Sequence, residues 1–278
     1  MKKSDNAPPR LSGRLRRVEG RHNALVKELR SAFAKAELTP DGSCALEGLR
    51  IVEEAIRSGL KFRAVFFAES AAATAERLLP QIGSHAETLE LPDQLFASTV
   101  PTETPQGVAA LVRMKTYQLE DVLRRSSTGP LLAIAGVQDP GNLGTILRSA
   151  EAFGACGVLL GGGSVSHFNW KAVRASAGSV FRLPIARVCL ETTLGELHQH
   201  GVRLIATSSH KGTPLPEADL STPLALFIGN EGAGLPRDLL AKMDELVAIP
   251  HSSEVESLNA GVAASIILYE IARQRTKL

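Results

Sequence analysis

The first third of the chain alternates short apolar runs with polar segments of helical periodicity. Apolar residues at helical spacing predict a short helix over 22–36, and the turn-forming residues 39–42 end it. The segments that follow predict, in chain order, a helix at 46–56, a strand at 62–68, a helix at 72–79, an extended run ending at Leu91 and a strand at 107–112. This pattern indicates a small α/β unit.

From residue 131 onward, strand and helix patterns alternate more regularly. The predicted strands are 131–137, 157–160, 183–188, 203–207, 224–229 and 245–249. The predicted helices are 143–153, 170–177, 194–199 and a long one from about 258. Because the strands are continuously apolar and have helices between them, the pattern predicts a parallel sheet covered on both faces. The predicted fold class is therefore α/β.

A polar stretch separates the two predicted units. Residues 114–130 are polar and contain a Ser-Ser-Thr-Gly turn, so they are interpreted as a linker. Residues 1–20 are charged and lack apolar periodicity, which predicts a flexible arm. The predicted organisation is thus an arm at 1–20, a first domain at 21–113, a linker at 114–130 and a second domain at 131–278. Two domains also suit a chain of 278 residues.

The composition is that of a folded, water-soluble protein. Hydrophobic residues make up 44% and charged residues 22%, which excludes an intrinsically disordered chain. The three cysteines lie far apart without a C-x-x-C pair, so neither a disulfide framework nor a zinc cluster is indicated. No segment has the pattern of a signal peptide or a membrane span. The cytoplasm is the expected compartment.

Charge is distributed unevenly along the chain. The first thirty residues hold nine basic and three acidic residues, a net charge of +6, whereas the whole chain carries only +2. The remainder is therefore mildly acidic. A basic arm on such a body suits a polyanionic partner such as a nucleic acid, because lysine and arginine attract phosphates and release their counterions. A merely solubilising tail has the same composition and remains an alternative.

Polar and glycine-rich residues follow three of the predicted parallel strands, where ligands bind in open α/β sheets. The first such segment, 139–144, follows strand 131–137 and leads into a helix that carries Arg148. Asn142 is interpreted as the N-cap of this helix. The alternative to a functional role is a capped turn in which Arg148 pairs with Glu151 on a solvated helix face.

The other two segments follow later strands. Residues 229–236 are rich in glycine and offer Asn230 and Glu231 as side-chain contacts to a polar ligand. Residues 249–259 form a polar loop that leads into the C-terminal helix, and Ser257 fits the N-cap position there. An ordinary turn between a strand and a helix is the alternative at each place. That final helix is apolar on most sides, which predicts a core or interface position.

Several common sites are not indicated. The sequence has neither G-x-G-x-x-G after a strand nor G-x-x-x-x-G-K-[ST], so it favours neither a dinucleotide fold nor a P-loop. The seven histidines show no H-E-x-x-H and no recurring ligand spacing. No metal is therefore expected.

Together the three segments resemble the motifs of the SpoU (TrmH-like) family of RNA 2′-O-ribose methyltransferases. Residues 142–154 are similar to its N-x-G-x-x-x-R-x-A-x-x-F-G, residues 227–235 to its G-N-E-G-x-G-[LM], and residues 249–270 to its I-P…S-L-N…L-[YF]-E. Residues 22–27, 46–55 and 104–107 are more loosely similar to its N-terminal substrate-binding domain. The chain departs from the third motif at His251, Ser253 and Ala260–Gly261.

The resemblance implies a parallel-sheet catalytic domain of SPOUT type with a deep trefoil knot, preceded by a small ribosomal-protein-like α/β domain that binds the RNA substrate. It further implies transfer of a methyl group from S-adenosylmethionine to a ribose 2′-hydroxyl of ribosomal or transfer RNA, in a homodimer. A non-catalytic RNA-binding relative and a small-molecule methyltransferase are the competing interpretations. The intact motifs argue against the first, and the basic arm and upstream unit argue against the second.

The resemblance also assigns roles to individual residues. The implied catalytic residues are Asn142, Arg148, Glu231, Ser257 and Asn259. The implied cofactor-binding residues are Thr207, Ile228, Gly229, Asn230, Gly234, Ile249 and Leu258. Because arginine is charged at any working pH, we interpret Arg148 as a phosphate clamp that positions the hydroxyl, rather than as a base.

Overall fold

The computed structural model of the protein describes residues 14–209 and 211–275. The chain divides between Met114 and Lys115 into two compact units. No helix in the described ranges is long and apolar enough to cross a membrane.

The first unit is an α/β sandwich built on a five-stranded sheet. Its elements are β1 (Arg16–Arg17), α1 (Ala24–Lys35), β2 (Ser43–Glu47), α2 (Leu49–Arg57), β3 (Lys61–Ala68), α3 (Ala72–Leu78), β4 (Glu87–Leu91), α4 (Asp93–Thr99) and β5 (Val108–Arg113). The strand order is β1-β4-β3-β5-β2. Strand β5 runs antiparallel to both β3 and β2, whereas β4 is parallel to β1 and β3.

Two sequence-based predictions for this unit were wrong. Residues Leu46 and Glu47 belong to a strand and not to a helix, because β2 pairs along its whole length with β5 and is buried throughout. Residues 14–20 are not a flexible arm. Strand β1 pairs with β4, and the Arg14 guanidinium donates hydrogen bonds to the carbonyl oxygens of Leu79 and Ile82 at 2.8 and 3.1 Å. The rest of the predicted arm, 1–13, lies outside the described residues.

The second unit contains a seven-stranded sheet, and every strand pair in it is parallel. Its elements are α5 (Leu119–Leu123), β6 (Leu131–Ile134), α6 (Pro140–Ala152), β7 (Gly157–Leu160), α7 (Trp170–Ala175), α8 (Ser179–Arg182), β8 (Ile185–Arg187), α9 (Leu190–Gln199), β9 (Arg203–Ser208), β10 (Thr213–Pro214), β11 (Leu224–Ile228), α10 (Arg237–Leu240), β12 (Glu245–Ala248) and α11 (Ala260–Arg275). The predicted parallel α/β sheet is confirmed.

The segment predicted as a linker contributes to the core of this unit. Helix α5 lies within it, and Val122 and Leu123 are buried among core residues of the sheet and of α9. A Cβ atom at Gly157 would lie 2.7 Å from a methyl carbon of Val122, so the helix packs tightly against β7. The interpretation of 114–130 as a linker was therefore wrong, because Leu119, Val122 and Leu123 hold a short helix on the sheet.

The strand order determines where a ligand can bind. The order is β10-β12-β9-β11-β6-β7-β8, so the chain runs outward from β6 to β8 and then continues on the other side of β6. In open parallel sheets the crevice beyond the carboxyl ends of the strands at such a reversal is the usual binding site. Helices α6 and α11 pack against each other on one face of the sheet, and α5, α9 and α10 contribute to the core on the other. The trefoil knot stays a prediction.

Candidate active site

The side chain of Asn142, in the first turn of α6, does not cap its own helix. Asp139, not Asn142 as predicted, is the N-cap, and its carboxylate accepts a hydrogen bond from the Asn142 backbone N–H at 2.7 Å. Pro140 occupies the first helical position, where its missing N–H costs nothing. The Asn142 side chain is therefore available to bind other groups.

A chain of side-chain hydrogen bonds joins the three motifs. The Asn142 amide nitrogen donates to a carboxylate oxygen of Glu231 at 3.0 Å, and the Asn259 amide nitrogen donates to the Asn142 oxygen at 2.8 Å. These contacts link positions 89 and 117 residues apart in sequence. Three of the five predicted catalytic residues thus form one polar cluster at the N-termini of α6 and α11.

Asn259 also caps α11, a role that the sequence suggested for Ser257. Its side-chain oxygen accepts hydrogen bonds from the backbone N–H groups of Gly261 and Val262 at 2.9 and 3.2 Å. A Cβ atom at Gly261 would lie 3.2 Å from the Thr145 side chain, so glycine there lets α11 approach α6 closely. Ser257 is exposed and lies in the wall of the neighbouring cleft.

The glycine-rich segment after β11 folds into a closed loop. Asn230 and Gly234 exchange two backbone hydrogen bonds of 3.0 Å, and the Asn230 side-chain oxygen accepts from the N–H groups of Gly232 and Ala233. The Asn230 amide nitrogen donates to the carbonyl of Gly136 at 2.8 Å, which ties the loop to the end of β6. These bonds hold the loop beside Asn142 through Glu231.

A cleft of about 380 Å³ lies beyond the carboxyl ends of β9, β11 and β12. All seven residues predicted to bind the cofactor line it, together with Glu231 and Ser257. Its wall also includes residues that the sequence interpretation did not select: Ser208, Ser209, His251, Glu256, Ala263, Ala264 and Ile267. Of these, Ala263 and Ala264 could have been found from the sequence. A helix face made of alanine leaves room for a ligand beside it.

Arg148 lies on α6 with its side chain exposed. Across the described parts of the chain, 14–209 and 211–275, no carboxylate pairs with it. Its suggested partner, Glu151, is bound instead by Arg182 of α8, whose Nη2 lies 2.9 Å from a Glu151 oxygen. These hydrogen bonds from Arg182 hold the pKa of the Glu151 carboxyl below its ordinary value, against the opposing effect of burial. The alternative in which Arg148 merely pairs with Glu151 was therefore wrong.

No group of three histidine, cysteine, aspartate or glutamate side chains within the described ranges is placed to hold a metal ion. The polar groups of the cleft are instead amides, hydroxyls, the His251 imidazole and two carboxylates, those of Glu231 and Glu256. Such a lining offers hydrogen bonds to an organic ligand and favours positive charge on it.

Comparison with known families agrees with this geometry. Residues 130–269 match the SpoU rRNA Methylase family. The chain belongs to this family. Residues 23–110 separately match the MRM3-like substrate binding domain, which accounts for the first unit. As a SpoU methylase, the protein is an enzyme that transfers a methyl group from S-adenosylmethionine to a ribose 2′-hydroxyl of RNA.

Individual relatives cover nearly the whole chain. The 23S rRNA (guanosine(2553)-2′-O)-methyltransferase RlmP of Bacillus subtilis is 34% identical over 257 residues, which are 92% of this chain and 99% of RlmP. The AdoMet-bound rRNA methyltransferase of Sinorhizobium meliloti is 31% identical, with a TM-score of 0.80 over 94% of this chain and 98% of its own. The SpoU methyltransferase AviRb of Streptomyces viridochromogenes, in complex with AdoMet, has 29% identity and a TM-score of 0.78 over 91% and 98%.

Proposed function

We propose that this SpoU methylase acts on ribosomal RNA, with the cofactor in the 380 Å³ cleft and the target ribose at the Asn142–Glu231–Asn259 cluster. The observation that carries the proposal is the position of Glu231, which lines the cleft and also binds Asn142. A methyl donor in the cleft and an acceptor at the cluster are then neighbours, as an in-line transfer requires.

The cleft suits S-adenosylmethionine in size and chemistry. Its volume falls within the range of about 300–1,000 Å³ that is usual for small-molecule sites. Ile228, Ile249 and Leu258 give it apolar walls for a purine ring, whereas Glu231 and Glu256 add negative charge that favours a sulfonium or ammonium group. The seven residues that the resemblance assigned to the cofactor are the proposed contacts.

When bound, S-adenosylmethionine supplies a methyl group on a positively charged sulfur. The residues around it would have to hold the 2′-oxygen in line with that methyl group, and the hydroxyl proton would pass to water at the cluster, where Glu231 and Asn259 are exposed to solvent. We assign the orientation of the ribose to Asn142, Asn259 and Ser257. Glu231 fixes the Asn142 amide through their hydrogen bond.

The Arg148 guanidinium is assigned to a phosphate of the target nucleotide and to the 2′-oxygen. A guanidinium has hydrogen-bond donors and no acceptor, so this side chain is assigned to stabilise negative charge that develops on the oxygen rather than to take the proton. Its exposure and its lack of a carboxylate partner among the described residues leave the planar donor fork available for this task.

Ribosomal RNA is favoured over transfer RNA by the name of the Bacillus relative, which aligns with 92% of this chain. Such a substrate also implies action in the cytoplasm. The deciding experiment maps 2′-O-methyl groups in ribosomal and transfer RNA from cells with and without this protein. The proposal is supported if cells without the protein lack one methyl group in ribosomal RNA. It is contradicted if only transfer RNA loses a methyl group, or if no RNA does.

Cofactor binding is expected to be independent of metal ions, because methyl transfer from a sulfonium needs no Lewis acid and the cleft has no cluster of metal ligands within the described residues. Calorimetry on protein freed of copurified ligand should show one S-adenosylmethionine site per chain. Excess chelator should change neither its Kd nor the methylation rate. A chelator-sensitive rate would contradict this expectation.

We also propose that the protein is a homodimer through α11. Val262, Ile266 and Tyr269 are 48%, 38% and 52% exposed and lie on one stripe of the helix, spaced by one and two turns. Tyr269 packs edge-on against Phe153, the residue that follows α6, so the C-terminal end of α6 borders this apolar surface. A second copy would bury the stripe.

Light scattering should therefore give twice the chain mass at concentrations where the enzyme is active. Ile266→Asp should shift the protein toward monomers, because a carboxylate would be desolvated in the interface. Gln199→Asp introduces the same carboxylate at an exposed position of α9 and should leave the dimer intact. A monomeric and fully active wild-type protein would overturn the dimer proposal.

A further inference from the structure

The single tryptophan of the chain lies at the start of α7, outside the cleft. It is half-buried, and two cations of the same helix flank it. The Lys171 ammonium nitrogen is 5.5 Å and the Arg174 guanidinium carbon 5.7 Å from the centroid of the Trp170 ring. We call these three residues the Trp170 patch.

The Trp170 patch belongs to the framework that carries the active site. Helix α7 packs on α6 so closely that a Cβ atom at Gly144 would lie 2.4 Å from the Ala175 side chain. The loop before α7 is held to the end of β6, since the Ser164 hydroxyl accepts a hydrogen bond from the Gly136 N–H at 2.9 Å. The carbonyl of the same Gly136 accepts a hydrogen bond from the Asn230 side chain of the glycine-rich loop after β11.

Helix α6, which packs against α7, also carries a cation. Arg148 lies on the stripe of α6 that also contains Gly144 and Glu151, and this stripe faces α7 and α8. Glu151 is already paired with Arg182. In the described part of the chain, neither Lys171 nor Arg148 has a carboxylate partner. Cations on two adjacent helices therefore point to a polyanionic ligand.

A packing role alone does not account for this arrangement. A tryptophan that serves the core is enclosed by apolar side chains, whereas Trp170 is partly exposed and has the flexible side chains of Lys171 and Arg174 over its ring. An accessible aromatic ring with neighbouring lysine and arginine is how proteins bind unpaired nucleotides, because the ring stacks on a base and the cations contact the flanking phosphates.

We propose that the Trp170 patch is a stacking site for an unpaired RNA base that flanks the methylated nucleotide. The proposal rests on the proposed function for the identity of the ligand as substrate RNA. It adds an RNA contact within the catalytic unit itself, separate from the substrate-binding domain. The site selects for an unpaired strand, since a base within a duplex has no free face to stack on the indole.

The lone tryptophan makes a direct test available. Emission of Trp170 in the full-length protein is measured while a 12-nucleotide oligoadenylate is added, and then while a 12-base-pair RNA duplex is added at the same ionic strength. Stacking should quench the emission in a saturable manner with the single strand and leave it nearly unchanged with the duplex. Unchanged emission at saturating single strand, or equal quenching by the duplex, overturns the proposal.

Two substitutions of similar bulk separate stacking from packing. Trp170→Phe keeps an aromatic face, whereas Trp170→Leu keeps only an apolar side chain. Anisotropy of labelled oligoadenylate should show binding weakened about 5-fold or more in Trp170→Leu, the lower end for loss of one base stack, and less in Trp170→Phe. Equal affinities of the two variants would contradict stacking.

The same variants distinguish this proposal from the proposed function. Their affinity for S-adenosylmethionine, measured by calorimetry, should match that of the wild type, because Trp170 does not line the cleft. If ribosomal RNA is methylated normally by Trp170→Leu and RNA affinity is unchanged, the stacking site is wrong and the methylase function stands. If the wild type methylates no RNA and oligoadenylate still quenches the emission of Trp170, the proposed function is wrong and the stacking site stands.

Discussion

Replacement of Arg148 by alanine is expected to lower kcat by about a hundredfold or more, the scale of losing one well-placed polar group in a transition state. The guanidinium carries the only charge that we assign to the target phosphate and the 2′-oxygen. Affinity for S-adenosylmethionine should stay the same, because Arg148 does not line the cleft. Stability should change by less than about 0.5 kcal/mol, because the side chain is exposed and pairs with no carboxylate in the described ranges.

Single-turnover methylation of ribosomal RNA at saturating cofactor is the deciding measurement. Arg148→Lys should also be slow, because an ammonium cannot reproduce the planar, two-pronged contact to a phosphate. Arg124→Ala is a matched control on the same unit, where the arginine is 70% exposed and pairs with Asp121. It should cost under about 1 kcal/mol and leave turnover intact. A near-normal rate in Arg148→Ala would remove this residue from the mechanism.

Substitution of Gly229 by alanine is expected to weaken S-adenosylmethionine binding by about a hundredfold or more. A Cβ atom at this position would lie 2.3 Å from the carbonyl carbon of Gly234 and 2.4 Å from the Leu235 nitrogen. Backbone atoms cannot move aside as a flexible side chain can, so the loop has to open. Misplacement of positioning groups by about 1 Å can lower a reaction rate by this factor, and we expect a loss of the same order in cofactor affinity when the loop that lines the cleft is displaced. Calorimetry measures the affinity.

The neighbouring Gly232 provides the structural control for that loop. A Cβ atom there would meet only the Asn230 side-chain oxygen, at an ordinary distance of 3.7 Å. Gly229→Ala should therefore destabilise the fold by about 1–3 kcal/mol, whereas Gly232→Ala should leave the melting temperature unchanged. Equal melting temperatures for the wild type and both variants would show that the close approach of Gly229 to Gly234 does not constrain the loop.

Continuous apolar strands and the three motifs were readable from the sequence because their information is local. Leu131, Val158 and Leu226 lie in runs whose apolar character alone marks a strand with both faces covered. The parallel sheet, and the gathering of the seven proposed cofactor residues at its carboxyl edge, follow from that pattern together with the family resemblance.

Features that depend on contacts between residues far apart in the sequence could not be predicted from it. The helix predicted at 46–56 corresponds to α2, but strand β2 before it was missed and its last two residues were assigned to the helix, because its pairing partner, β5, lies more than sixty residues away. The hydrogen bonds from Asn142 to Glu231 and Asn259 reach across 89 and 117 residues, so no local pattern announces them. Both N-cap predictions missed by two or three residues. Asp139 caps α6 where Asn142 was predicted, and Asn259 caps α11 where Ser257 was predicted.

The strand order of the second sheet also sets the sequence of events during biosynthesis. The first unit closes its sheet once β5 has been made, so it can fold early, as N-terminal domains generally do. Strand β6, in contrast, pairs with β11, and the cleft gains its helical wall only when α11 has been synthesised. Long-range parallel pairing of this kind is slow to form and leaves apolar edges exposed meanwhile. The growing chain therefore carries a finished substrate-binding domain ahead of an incomplete, aggregation-prone catalytic sheet, and it is the second unit that has most need of a chaperone.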